Sequence, residues 1–254
     1  MAPSPMNVVR HRMPFHQLHP KLPTEIFQYP SDLFAQDPVD CLLTILRYYD
    51  ELPMKQNLSS SESVAALPKY LKERCRLLNG QAIKIRGELV LYWMHHSVRG
   101  HENPALDVAI ALGNRLDLPV LVYQGLGGNH GYDSDRHHTF IMQGARDAHR
   151  ELRERGVGAV FDLNRRGDQP SPLRQLAMRA AAVVIEDFPA PPFPRCTERL
   201  AEHSPVALIS VDCFCIVPMQ AQPQRFTRAF EFRRHNQAGF ERRMPLPWPD
   251  IEPK

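Results

Sequence analysis

The chain has 254 residues, 31 Lys+Arg against 28 Asp+Glu, and a formal net charge of +3. With 43% of its residues in the AVILMFWYC set it can build a packed core, which excludes whole-chain disorder. A balance this close to neutral neither demands nor excludes a nucleic-acid partner. No run reaches the about 18 apolar residues of a membrane helix: the best candidate, Val206 to Val217, is broken by Ser210 and Asp212. No membrane partner is therefore expected. The first residues, MAPSPMNVVRHR, carry no apolar h-region, and five cysteines without scaffold spacing suit a reduced, cytoplasmic protein.

Proline marks the organisation. Of 24 prolines, nine lie in residues 1–68, two in 69–169 and thirteen in 170–254, so regular structure is expected to be densest in the middle. Residues 1–35 read as irregular. Asp37-Pro38 reads as N-cap and first residue of a helix carrying Val39, Leu42, Leu43 and Leu46. Leu58 to Ser63 reads as a serine-rich linker, and Pro68 to Leu78 as a short basic helix.

From residue 88 the rhythm changes. Leu89–Met94 is an apolar run of strand length, and Asn103-Pro104 opens a helix with Leu106, Ala109, Ile110, Gly113 and Leu116 on one face. Pro119–Tyr123 is a second strand. A helix from about Ser134 to Arg155 follows, with Ile141, Ala145, Ala148 and Leu152 on its buried face and Gly156 to end it. Ala159–Asp162, Ala182–Ile185 and Val206–Val211 are strands three to five, separated by helices at Leu173–Arg179 and Thr197–His203. Strands apolar on both faces that alternate with amphipathic helices imply a Rossmann-like α/β fold: a five-stranded parallel sheet with helices on both faces.

Open sheets of this kind bind ligands beyond the carboxyl ends of their strands, where the strand order reverses. An order of 3-2-1-4-5 puts that crevice between strands one and four. Its walls would be Trp93, Met94, Arg99 and Asn103 on one side and Glu186 and Asp187 on the other. Trp93 would offer a stacking face and Arg99 a charge for an anionic tail; the alternative reading of Trp93, at the end of a buried strand, is plain core.

Other motifs are weaker. Gly125-Leu-Gly-Gly-Asn-His-Gly131 has His130 where a dinucleotide fingerprint needs glycine, and it follows the wrong strand. The pairs His95-His96 and His137-His138 are adjacent residues, which diverge on a helix and make no natural chelate, and they read as surface or loop histidines. Cys213-x-Cys215 reads as two buried thiols, so no metal site is expected. In Arg225–Arg243, six arginines are interleaved with Phe226, Phe230, Phe232 and Phe240. That pattern suits either a nucleic-acid backbone or, as favoured here, a linker whose rings pack on a neighbour while its arginines stay solvated.

Several separated blocks in fixed order resemble the N-terminal domain of class II DNA photolyases. They are Leu89-Val-Leu-Tyr-Trp-Met94, Arg99-Gly-His-Glu-Asn-Pro-Ala-Leu-Asp107, Asp135-Arg-His-His-Thr-Phe140, Val184-Ile-Glu-Asp187, Pro192-Phe-Pro-Arg195 and Val211-Asp212 with Ile216-Val-Pro218. The resemblance covers about residues 68 to 249. It implies descent from enzymes that use light and a reduced flavin to split pyrimidine dimers in DNA. In that family a large helical domain holds the FAD and the damaged DNA. The sequence stops at Lys254, where that domain would begin, so no catalytic residue carries over and FAD is not expected to bind this chain.

The expected organisation is thus an N-terminal extension over 1–67, an α/β antenna-type domain over 68–219 and an interdomain-type linker or tail over 220–254. The domain implied by the resemblance can hold an antenna chromophore, a deazaflavin or a folate, for which Trp93, Met94, Arg99, Asn103, Glu186 and Asp187 are the candidate contacts. DNA is expected only through a separate helical FAD domain, and repair is not expected of this chain alone. The alternatives are a stand-alone chromophore- or nucleotide-binding module, or a docking partner of a separate flavin domain. Outside the family's covering domain, Phe226, Phe230, Phe232, Phe240 and Trp248 are expected to form a sticky apolar surface.

Overall fold

The computed structural model describes residues 57–127, 134–164, 171–222 and 224–254. The helix expected after Asp37-Pro38 lies outside them. Among the described residues the chain order is α1 (Ser60–Ala65), α2 (Lys69–Lys72), β1 (Cys75–Leu77), β2 (Leu89–Trp93), α3 (Pro104–Leu116), β3 (Val120–Gly127), α4 (Asp135–Glu154), β4 (Gly158–Asn164), α5 (Leu173–Arg179), β5 (Ala180–Glu186), α6 (Phe193–His203), β6 (Ala207–Val211) and α7 (Ala229–Arg243).

The sheet runs β1-β6-β5-β2-β3-β4. Strands β2 to β6 are parallel, with β2 lying between β3 and β5. These are the five strands expected, in the expected order. The sixth, β1, pairs antiparallel with β6, placing Cys75 opposite Val211. It replaces the second half of the helix expected over Pro68–Leu78, of which only Lys69–Lys72 forms. The serine-rich linker is also a helix: the Ser59 hydroxyl accepts the Glu62 N–H at 3.3 Å, capping α1.

Side-chain alternation along β2 divides the interior. Val90, Tyr92 and Met94 join a core under α3 and α4 with Leu106, Ile110 and Leu152. Leu89 and Leu91 join a second core on the opposite face with Val183, Ile185 and Leu208, against α5 and α6. The helix ends follow their sequence signals. Asn103 caps α3 through its Oδ1, which accepts the Leu106 N–H at 3.2 Å, with Pro104 at the first helical position. Gly156, at φ 72°, takes the left-handed turn after α4.

Residues 248–254 return across α3. The Trp248 indole N–H donates to Asp107 Oδ2 at 2.6 Å, and the Ile251 N–H to Asp107 Oδ1 at 3.0 Å. Buried Arg155 lies 3.5 Å from Asp107 and donates to the Ile251 carbonyl at 2.6 Å. Trp248 also meets Tyr70 edge-on and the Arg74 guanidinium over its face. Trp248 is therefore partnered, not part of a sticky surface. By contrast, Phe230, Phe232 and Phe240 are 60%, 49% and 42% exposed, on a helix where an irregular linker was expected.

Candidate functional site

The carboxyl ends of β2 and β5 meet at Glu186, which is 1% exposed. Its Oε1 accepts the Tyr92 hydroxyl at 2.8 Å and the His95 N–H at 3.1 Å. Its Oε2 accepts the N–H groups of His96 at 2.8 Å and Ser97 at 2.9 Å. Burial pushes the carboxyl pKa up, and the backbone bonds work against that shift. The carboxylate thus replaces the sheet ladder as acceptor for the turn that leaves β2, which is why a charge can stand at the end of a wholly buried strand.

Asn103 extends the network. Its Nδ2 donates to the Tyr92 hydroxyl at 3.2 Å and to the carbonyls of Ser97 and Arg99 at 3.0 and 3.1 Å. Arg99 donates to the carbonyls of Glu102 and Cys213. Met94 is core. Asp187 lies beyond the network, 3.0 Å from Arg76 and accepting from Gln220 at 2.9 Å. Of the six residues expected to wall a crevice, Glu186, Asn103 and Arg99 hold the loop that leaves β2.

Trp93 points to the other face. It lines a cavity of about 200 Å³ with Tyr123, Leu126, Asp162, Ser171 and Leu173. The Tyr123 hydroxyl lies 3.1 Å from Asp162 Oδ2 and 2.9 Å from the Ser171 hydroxyl. Burial pushes the Tyr123 phenol up to about 12, so it is a neutral donor at physiological pH. A neighbouring cavity of about 300 Å³ lies against α4, between Asp135, His138 and Met142. The two share Leu126, Gly127 and Asn164, at the carboxyl ends of β3 and β4. Sequence reasoning missed Tyr123, Asp162 and Ser171. The available signal was that Tyr123 and Asp162 close the apolar runs of their strands.

The histidine pair lies in a loop, as expected, but its two rings converge. His95 and His96 lie in the loop after β2, not on a helix, and their Nδ1 atoms approach to 2.5 Å. His95 stacks on Phe193 and His96 on Phe188, with ring centroids 4.6 and 3.6 Å apart. Burial pulls the His95 pKa down to about 4.

A parallel sheet with helices on both faces and polar groups gathered at its carboxyl edge defines an open, doubly wound α/β domain. A family model described as DNA photolyase matches residues 90–249. The deoxyribodipyrimidine photo-lyase of Methanothermobacter thermautotrophicus is 42% identical over 114 residues, covering 45% of this chain and 25% of that protein. The chain belongs to the DNA photolyase family. It spans about a quarter of the length of this curated relative. Among solved structures, the universal stress protein from Archaeoglobus fulgidus in complex with dAMP shares 19% identity at a TM-score of 0.36, covering 50% of this chain and 99% of that one. A universal stress family protein from Burkholderia pseudomallei shares 20% identity at 0.34, covering 50% and 96%. No helix among the described residues is long and apolar enough to cross a membrane.

Proposed function

We propose that this chain supplies the α/β domain of a system for light-dependent repair of pyrimidine dimers in DNA, and that its role is to hold an antenna chromophore. The observation that carries the reading is the Trp93-lined cavity at the carboxyl edge of a domain matched to the photolyase family over residues 90–249. FAD is the redox cofactor generally used in this family. The two cavities measure about 200 and 300 Å³, at the lower end of the usual range for ligand pockets, and they suit a ligand smaller than a dinucleotide. In this reading FAD and the damaged DNA belong to a helical photolyase domain that acts together with this one.

A single planar ring system fits better. Trp93 gives it an aromatic face, Tyr123 and Ser171 give it hydroxyl groups, and Asp162 and Asn164 give it polar edges. A deazaflavin or folate, when bound, would supply light absorption, and these residues would orient the ring. Aromatic contacts of this kind contribute roughly 0.5–1.5 kcal/mol beyond burial.

The test is titration of a deazaflavin and a folate against the full chain and against Trp93→Ala, read by quenching and by ligand absorbance. Saturable binding by the parent, weakened at least tenfold by Trp93→Ala with circular dichroism unchanged, is the expected result. Equal binding by both proteins places the chromophore elsewhere. No binding by the parent removes the antenna reading.

A further inference from the structure

We propose that His95, His96 and Glu186 form a binding site for a divalent transition-metal ion of the zinc type, at the junction of β2 and β5. The inference goes beyond the antenna reading and does not depend on it. The ligand atoms of the three residues all lie within 4.8 Å of one another. His95 Nδ1 is 3.4 Å from Glu186 Oε2 and 2.5 Å from His96 Nδ1. A tetrahedral ion bound at about 2.0–2.2 Å to nitrogen and oxygen holds neighbouring ligand atoms about 3.4 Å apart. The histidine–carboxylate pair already stands at that separation. The two imidazoles need to part by about 0.9 Å, a small ring rotation.

The fold makes this meeting specific. Adjacent residues diverge on a helix or strand, but here the loop wraps around Glu186, whose oxygens take the N–H groups of both histidines. The same carboxylate oxygen, Oε2, that accepts the His96 and Ser97 N–H groups also faces the His95 ring nitrogen at 3.4 Å, so an ion bound there would share it with the loop. Tyr92 donates to the other oxygen, the kind of support that fixes a metal-ligating carboxylate. Phe193 and Phe188 stack on the two imidazoles and form an apolar wall around the site.

Two imidazoles and one carboxylate are a ligand set known for zinc and for other first-row dications, and they leave a fourth position for water or an exogenous donor. One dication against one carboxylate leaves a single net positive charge, so an anionic fourth ligand would be favoured. Nothing in the arrangement calls for the softer, sulfur-rich set that copper(I) prefers.

The experiment uses the full chain stripped with a chelator and titrated with Co²⁺ as a spectroscopic probe, then with Zn²⁺ in competition. One Co²⁺ per chain, intense visible bands of tetrahedral type and displacement by Zn²⁺ are expected. His96→Ala is the primary variant, because that ring is less buried than its neighbours. It should lower Co²⁺ affinity at least tenfold and abolish the tetrahedral bands, with the fold intact by circular dichroism. His95→Ala should do the same, whereas His137→Ala on α4 should not. Absence of saturable uptake, or the same stoichiometry and spectrum in His96→Ala, would overturn the site.

Discussion

The two sides of β2 at the carboxyl edge of the sheet are built from adjacent residues of one strand, yet a hydrogen-bonded loop covers one and a cavity lies at the other. Tyr92 turns toward the β5 side and meets Glu186, with the β2–α3 loop folded over the carboxylate. Trp93 turns to the opposite face and lines a cavity bounded by β3 and β4. The general rule for open α/β sheets points to the gap between β2 and β5. In this chain the protein's own carboxylate stands at that gap and accepts the N–H groups at the start of a loop. The topological rule points to an edge of the sheet, while buried polar groups decide how each gap along that edge is furnished.

The sharpest way to break the closed side is Glu186→Ala. It orphans three loop N–H groups and the Tyr92 hydroxyl, and unsatisfied buried donors cost about 1–3 kcal/mol each where water cannot reach them. A total of about 4 kcal/mol is expected, read as a lowered urea midpoint with an unchanged m-value. Asp107→Ala attacks the same loop from below, because Arg155 bridges Asp107 to the Gly100 carbonyl. Removing one partner of a buried pair leaves a bare guanidinium and also frees Trp248 and the Ile251 N–H. About 3 kcal/mol is expected, and Trp248 fluorescence should shift to the red as the indole meets water.

Neighbouring substitutions on β2 separate the two crevices directly. Tyr92→Phe deletes a hydrogen bond to a buried carboxylate and should cost about 2 kcal/mol, with binding at the Trp93 cavity unchanged. Trp93→Ala should behave in the opposite way: about 1 kcal/mol of stability, since the ring is only partly buried, and loss of ring-ligand binding. If Tyr92→Phe weakened ligand binding as much as Trp93→Ala, the two crevices would be one coupled site.

The parallel sheet was legible because each strand is short, apolar on both faces and bounded by a helix signal, as in Ala180–Glu186, which is buried throughout. Strand β1 was not: Cys75-Arg-Leu77 is three residues long, sits at an edge and has one exposed side chain, so it leaves no periodic trace. Helix α7 was missed for a related reason. None of its residues is buried, and its phenylalanines fall on different faces, so no apolar stripe distinguishes it from a linker. Glu186 was noticed by position, but its role could not be read, because its partners are mostly backbone N–H groups, which every sequence carries. His95-His96 was read as a loop pair, but the convergence of its rings depends on the path of that loop around Glu186, which adjacency in sequence does not show.

The smallest expected effect tests whether the open crevice is solvated. Burial raises the Tyr123 phenol from its ordinary 10.0 to about 12, with the Ser171 bond lowering it and Asp162 raising it further. In the unfolded chain the same phenol ionises near 10. Between pH 10 and 12 the unfolded state releases this proton first, so stability is complete below pH 10 and falls as pH rises toward 12. A shift of that size for a sealed group would be worth about 2.7 kcal/mol. Tyr123 is only 3% exposed but borders an open cavity, so solvent screening there should reduce the effect to about 1 kcal/mol. The check is the difference between parent and Tyr123→Phe in urea stability across this range, with tyrosinate absorbance followed in the folded protein. A difference that stays flat from pH 9 to 12 would show that the phenol ionises as freely as in water, and that the cavity does not shield what it holds.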